Sequence, residues 1–331
     1  MSELPLLEVR NLHLTYDLYE GKAHVLNGVD ITIRNGERVG LVGESGCGKS
    51  IMARAILGLA ARSNIEMSGE IRYHGANLFG LGPQAWRGLR GRKMSMIFQD
   101  PVAALNPVFT IEDQMIEVVR RGDKAKSRKE AIAIAIAALR QVAIDEPERV
   151  LASYPFQLSG GMNQRVIISM ALVNEPELVF ADEPGTSLDV TVQEQTLRLM
   201  TRMTKDVGAA VLLIAHNLGV VREFCERVYV MYAGMIVEEG PVKELFANPK
   251  HPYTQALFSA VPKLTGEGLP KSIDGMIPDY THAPEGCRFH PRCPHVRPEC
   301  LKPPPFVTVG PDHRARCVLY TDAGAKEPAH V

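Results

Sequence analysis

The most chemically pointed stretch of the chain is Gly43-Glu44-Ser45-Gly46-Cys47-Gly48-Lys49-Ser50. Its glycines let the backbone curl so that N–H groups converge, and a helix starting at Lys49 would add its positive end there. Such a cradle takes phosphate oxygens. Lys49 would meet the β- and γ-phosphates of a nucleotide and Ser50 would coordinate Mg²⁺, with Ile51 continuing the helix behind them. The setting agrees, because the apolar run ERVGLVG (37–43) precedes the loop and the helix-forming KSIMARAILGLA (49–60) follows it. A second motif, LVFADE (178–183), is an apolar strand ending in two acids. Asp182 would hold the Mg²⁺ through water, and Glu183 would polarise the attacking water as general base. Strands often finish in solvated carboxylates, so this motif draws its weight from sharing an inferred sheet with the loop.

Leu158-Ser159-Gly160-Gly161-Met162, followed by Asn163-Gln164-Arg165 and an apolar helix, adds a third element. Ser159 can cap that helix, and Gly160 and Gly161 permit close backbone approach to an anion. Here the sequence resembles the ATP-binding-cassette (ABC) ATPases, whose signature motif this stretch is similar to. Four more matches fall in the family's order: Tyr16 as the adenine-stacking aromatic, Gln99 in the Q-loop, Ser187-Leu188-Asp189 as the D-loop and His216 as the switch histidine. Singly, Tyr16 reads as a strand aromatic and His216 as a structural histidine; their order carries the resemblance. It implies ATP as the nucleotide and Lys49, Gln99, Glu183 and His216 as the catalytic set. Gln99 would join Ser50 and Asp182 around Mg²⁺, and Ser159, Gly160 and Gly161 would contact the nucleotide of a second ATPase subunit. Met162 stands where Gln is commoner, Ala215-His216-Asn217 replaces Thr-His-Asp, and Gly185 replaces Thr. None of these removes Lys49, Asp182, Glu183 or His216, so hydrolysis is expected. One copy of each motif implies pairing with another cassette on ATP. The resemblance also places Gln99 to Thr110 (QDPVAALNPVFT) against a membrane subunit.

Positioning such residues requires an α/β fold. Residues 7–34 alternate apolar and polar, the pattern of half-buried antiparallel strands. MSMIF (94–98) reads as a buried strand, and from about 100 to 174 the character turns helical, most strongly over 126–143. Strands resume at 177–183 and 209–216, separated by an amphipathic helix over about 190–205, which indicates a mainly parallel sheet. Residues 227–240 read as a hairpin turning at Ala233-Gly234. The expectation is a P-loop NTPase core of ABC type with a mainly parallel sheet, an antiparallel β subdomain and a helical insertion. Residues 1–261 would form this domain, and 262–331 a separate, small Cys/Pro-rich appendage holding 12 of the chain's 23 prolines.

The appendage carries Cys287-x5-Cys293-x6-Cys300-x16-Cys317. That spacing lacks the close C-x₂₋₄-C pairs of structural zinc. Four thiolates on Pro-rich loops can wrap a [4Fe–4S] cluster; zinc, free thiols and disulfides stay open as alternatives. Arg288, Arg292, Arg297, Lys302, Arg314 and Arg316 would offset an anionic cluster. PKHPYTQALFSAVP (249–262), the tail and Gln-Asp-Pro at 99–101 resemble the ATPases of oligopeptide, dipeptide and nickel importers. This resemblance implies two integral membrane permease subunits, a related ATPase partner and an extracytoplasmic solute-binding protein. The cluster is expected from it too, in an anchoring role; a metal-sensing regulatory tail is the competing reading. Cys47, at a helix N-terminus, is a candidate for thiolate character.

Composition bounds the rest. The 331 residues are 45% hydrophobic and 23% charged, with 37 Lys+Arg against 38 Asp+Glu, so the chain is globular and lacks the basic excess of a nucleic-acid binder. The apolar stretch GAAVLLIA (208–215) is far short of a membrane span, and MSELPLLEVR has no basic n-region. The expected place is the cytoplasmic face of the inner membrane, as a peripheral subunit powering import of peptides or related small solutes. A non-peptide solute (nickel, glycoside, opine-like) and a soluble ABC ATPase acting on nucleic acid are the alternatives.

Overall fold

A computed structural model describes residues 4–60, 64–185, 190–260 and 273–321. The chain forms two compact units, one from described parts of 1–32, 39–79 and 215–331, the other from 33–38 and described parts of 80–214. No described helix is long and apolar enough to cross a membrane.

In the first unit, β1 (Leu7–Leu18) and β2 (Gly21–Ile33) join β4 (Ile65–Tyr73) and β5 (Ala76–Asn77) in a sheet of order β2-β1-β4-β5. The alternation seen in the sequence puts Leu7, Val9, Leu12 and Leu14 in the core. β4 carries a weaker alternation and escapes the sequence reading. A second run of strands, β11 (Val307–Gly310), β12 (His313–Ala315), β10 (Met235–Pro241), β9 (Arg227–Tyr232) and β3 (Arg38–Val42), pairs in that order. Here β3 lies parallel to β9, and β9 turns at Ala233 and Gly234 into β10. α1 (Lys49–Ile56) follows β3; it ends earlier than the sequence suggested because Gly58 takes a φ of +63°. α9 (Leu218–Phe224), α10 (Val242–Ala247) and α11 (Pro252–Ser259) complete this part.

The tail is joined to the strands before it. Its β12, flanked by β11, pairs antiparallel with β10. Beneath that pairing Glu238 is fully buried and accepts three hydrogen bonds, from His313 Nε2 (2.8 Å) and from the N–H groups of Lys250 (2.7 Å) and His251 (2.8 Å). A carboxylate out of water needs that many donors, so the tail is tied in by a polar core as well as by backbone pairing.

In the second unit β6 (Met94–Ile97), β7 (Leu178–Asp182) and β8 (Ala210–Ile214) run parallel, with Asp182 opposite Ile214. Every residue of the three strands is buried, as expected of a parallel sheet covered on both faces. α2 (Pro83–Leu89) precedes β6, and between β6 and β7 come α3 (Pro101–Ala104), α4 (Ile111–Gly122), α5 (Arg128–Gln141), α6 (Pro147–Ala152) and α7 (Gly160–Leu172). Ser127 and Glu130 form a capping box that starts α5, and Thr110 caps α4. α8 (Val190–Val207) connects β7 to β8.

Candidate functional site

In the first unit the loop after β3 enters α1 through Gly48, in left-handed backbone at φ +109°. A β-carbon on Gly43 would sit 2.1 Å from the carbonyl oxygen of Met231, so only glycine fits there. Lys49 is buried, and its ammonium donates to the carbonyls of Gly43 (2.8 Å) and Glu44 (2.9 Å), folding it over its own loop. Ser50 follows it in the first turn of α1, Ile51 comes next, and no acidic side chain occupies that turn. The arrangement presents an unopposed helix N-terminus and a cation, which suits phosphate. Tyr16 stands half-buried on β1, opposite Ile65.

Cys47 departs from its sequence expectation. The side chain is wholly buried, and burial raises its pKa against the pull of Lys49, so the helix N-terminus does not make it a thiolate.

The loop is held by residues the sequence reading did not assign to it. Glu44 N–H donates to the Tyr253 hydroxyl (2.8 Å), and Tyr280 donates its hydroxyl to the carbonyl of Gly46 (2.6 Å). Arg292 pairs with both Glu44 carboxylate oxygens at 2.9 and 3.1 Å. Burial opposes the charge of Arg292, but its bonds to Glu44 and Tyr232 more than offset this and raise its pKa. Tyr253 lies in the PKHPYTQ stretch already noted, which was a usable signal; Arg292 had none, since its nearest motif is Cys293.

In the second unit Gln99 donates to Glu183 Oε2 at 3.1 Å. Glu183 follows β7 with φ +47°, and its N–H bonds the Ile214 carbonyl (2.9 Å). Left-handed backbone is unfavourable for glutamate, and such strain collects where a side chain must be aimed. Asp182 is buried at the strand end. Ser159 caps α7 by accepting from Met162 N–H (3.2 Å) and is exposed together with Gly160, with Gly161 half-buried beside them. Val102, Val108 and Phe109 are exposed on the segment after Gln99, and Tyr154 and Phe156, also exposed, stack at 5.5 Å. Clefts of about 570 and 410 Å³ along α5, α7 and α8 contain none of the predicted site residues. His216 is exposed two residues beyond β8, in the first unit. Ser187, Leu188 and Asp189 lie outside the described residues.

All four tail cysteines are described and free of disulfides. Their sulfurs share electrostatic influence, Cys317 feeling Cys287, Cys293 and Cys300. Backbone N–H groups point at two of them, His295 at Cys293 and Arg297 at Cys300, both at 3.4 Å, whereas His290 N–H bonds the Cys287 carbonyl (2.9 Å). Burial nevertheless pushes Cys287 up to about 11 and Cys317 to about 12. Among the described residues no group of three or more His, Cys, Asp or Glu side chains is placed to hold a metal ion, so neither the expected [4Fe–4S] cluster nor zinc finds support in this arrangement. A cluster would ask each thiolate to bind its own iron rather than to converge on one ion. Three of the basic residues expected to offset it are engaged elsewhere: Arg292 with Glu44, Arg314 with Glu239 and Arg288 with the carbonyls of His24 and Ala233.

A phosphate cradle on α1, a parallel sheet ending in Asp-Glu and a capped Ser-Gly-Gly helix define a P-loop ATPase of the cassette type. The comparisons agree. The ABC transporter family profile matches residues 26–186, and the oligopeptide/dipeptide transporter C-terminal region matches 237–300. A Brucella melitensis protein named for peptide import ATP binding is 42% identical over 98% of this chain and 100% of its own length. A Sinorhizobium fredii protein named as a peptide ABC transporter ATP-binding protein is 44% identical over 94% of both chains. Among solved structures, a dimeric ATP-binding cassette in a post-hydrolysis state with ADP and Pi superposes with TM-score 0.64 at 28% identity, covering 71% of this chain and 98% of that one. The chain belongs to the ATP-binding subunits of ABC transporters, in the group that carries the oligopeptide/dipeptide transporter C-terminal region. Its activity is ATP hydrolysis coupled to transport.

Proposed function

We propose that the transported solute is a peptide and that this chain works at the cytoplasmic face of the inner membrane. There it would pair with a second, related ATPase subunit and two permease subunits fed by an extracytoplasmic solute-binding protein. Near-full-length similarity to proteins named for peptide import supports the solute class. The exposed Val102, Val108 and Phe109 suit burial against a permease.

In this reading the N–H groups of 43–50 and Lys49 bind the phosphates, Tyr16 the adenine, and Ser50, Gln99 and Asp182 the Mg²⁺, which supplies charge neutralisation when bound. Glu183 orients and deprotonates water, and His216 senses the γ-phosphate. Ser159, Gly160 and Gly161 serve the partner's nucleotide, which explains a helix N-terminus left exposed. The observation that carries the hydrolytic assignment is the Gln99–Glu183 hydrogen bond: it orients the carboxylate and gives nucleotide sensing a direct route to the base. Glu183→Gln should bind ATP and pair with its partner while kcat falls at least about 100-fold, and Lys49→Ala should lose binding. Brisk turnover by Glu183→Gln would refute the base. Reconstituted with its membrane subunits, the complex should hydrolyse ATP faster with peptide-loaded binding protein; stimulation by nickel or a glycoside alone would refute the solute class.

We further propose that Cys287, Cys293, Cys300 and Cys317 hold a [4Fe–4S] cluster that anchors the tail. The backbone bond from Cys287 N–H to the Cys300 carbonyl (2.9 Å) and the N–H donors aimed at the sulfurs of Cys293 and Cys300 support it. The boundary proposed at 261/262 falls in residues outside those described.

A further inference from the structure

Phosphate loops are usually regarded as self-contained, yet this one has a carboxylate, Glu44, inside it. Unopposed, that charge would repel a triphosphate. Arg292 opposes it with a two-pronged ion pair, and its side chain is only 6% exposed. The guanidinium is itself fixed, by the carbonyls of Asp274 (2.8 Å) and Ile273 (3.1 Å) and the Tyr232 hydroxyl (3.3 Å). Gly46 poses a second problem. Its φ is +81°, and no described atom lies within 4 Å of where a β-carbon would be, so no side chain packs there. Its peptide is held from both sides, by the Cys47 N–H bond to the Glu44 carbonyl (3.2 Å) and by the Tyr280 hydroxyl on the Gly46 carbonyl, while the Tyr280 carbonyl accepts His24 N–H (2.9 Å) and so locks Tyr280 to β2. Arg288, bonded to the carbonyls of His24 (3.1 Å) and Ala233 (2.5 Å), braces the same region.

We propose that Tyr280 and Arg292, from the C-terminal segment, are positioning residues for ATP: Arg292 neutralises Glu44, and Tyr280 fixes the Gly46 peptide. The tail thereby completes the phosphate loop. This rests on reading 43–50 as the ATP site. A bidentate, mostly buried pair tolerates no lysine replacement of equal worth, because an ammonium cannot span both oxygens.

The test is titration of the full chain with a fluorescent ATP analogue and Mg²⁺, with thermal unfolding of the nucleotide-free protein alongside. Arg292→Gln should raise Kd about tenfold and Tyr280→Phe about threefold, with KM following and saturated kcat kept. Glu44→Gln combined with Arg292→Gln should return Kd to within about threefold of the parent, since removing the orphaned carboxylate relieves the repulsion. A purely structural role predicts instead that Kd follows the melting temperature of the nucleotide-free protein across the variants, whereas the positioning role predicts that Tyr280→Phe weakens binding with its melting temperature kept. Should Arg292→Gln not fold, Tyr280→Phe, which loses one oxygen, still decides the matter. The inference is overturned if Tyr280→Phe and Arg292→Gln bind like the parent, or if the double variant binds no better than Arg292→Gln. A folded parent that fails to bind the analogue at all refutes the ATP-site reading instead.

Discussion

Gly43→Ala isolates what the phosphate loop demands of the backbone. The new β-carbon would meet the Met231 carbonyl oxygen at 2.1 Å and Cys47 Sγ at 2.8 Å, whereas ordinary contact begins at 3.4 Å. A gap of 1.3 Å must therefore open against backbone, and that backbone belongs to β9, paired with both β3 and β10. Overpacking of this kind costs about 3 kcal/mol. That corresponds to a fall in Tm of roughly 6–12 °C for a domain of this size. Displacing the loop by such a distance also takes its N–H groups out of hydrogen-bonding range of phosphate. The parent should gain about 2.7 kcal/mol of stability at ATP one hundredfold above Kd, and Gly43→Ala should gain none. Gly46→Ala is the control: its β-carbon meets nothing within 4 Å, so only the +81° φ resists, at about 1–2 kcal/mol. Differential scanning fluorimetry of the three proteins with and without Mg-ATP reads both effects. Gly43→Ala melting no lower than Gly46→Ala, or stabilised by ATP like the parent, would refute the steric argument.

Two further outcomes are expected. His251 is fully buried, and burial lowers its pKa from 6.5 to about 4, against a pull from Glu238. Below pH 6.5 the unfolded chain takes a proton that the folded chain does not, so stability is full above 6.5 and declines towards pH 4. Between pH 7.5 and 5 the loss should be about 2 kcal/mol by chemical denaturation. His251→Asn keeps an acceptor for Tyr253 N–H and should flatten this slope; an unchanged slope would assign the pH dependence elsewhere. For the tail, anaerobically purified protein should be brown, absorb at about 400 nm and carry about four irons per chain. Zinc alone would overturn the cluster.

Much of the candidate site's local geometry can be read directly from the sequence, because a loop proposed to take phosphate depends on local backbone. Gly43 to Ser50 form a cradle wherever a strand feeds a helix, and Ser159 caps its helix through its own nearest N–H groups. The apolar runs ending at Asp182 and Ile214, each short and rich enough in β-branched or aromatic residues for a strand, likewise fit buried parallel strands, since a sheet covered on both faces keeps every residue from water. Cys47 misled the reading because its helix-terminal position is visible locally while its burial is not. The tail's attachment is hidden from the sequence for the same reason. Proline and cysteine content suggests a separate, loop-rich appendage, and only the folded chain shows β12 paired with β10 and buried Glu238 satisfied by donors 12, 13 and 75 residues away. Arg292 and Glu44 are 248 positions apart, and only the folded chain shows that a residue beside a cysteine balances a charge in the phosphate loop. Local motifs fixed the chemistry of the loop; long-range packing determined which distant side chains hold it in shape, because charge and burial depend on neighbours that sequence order does not record.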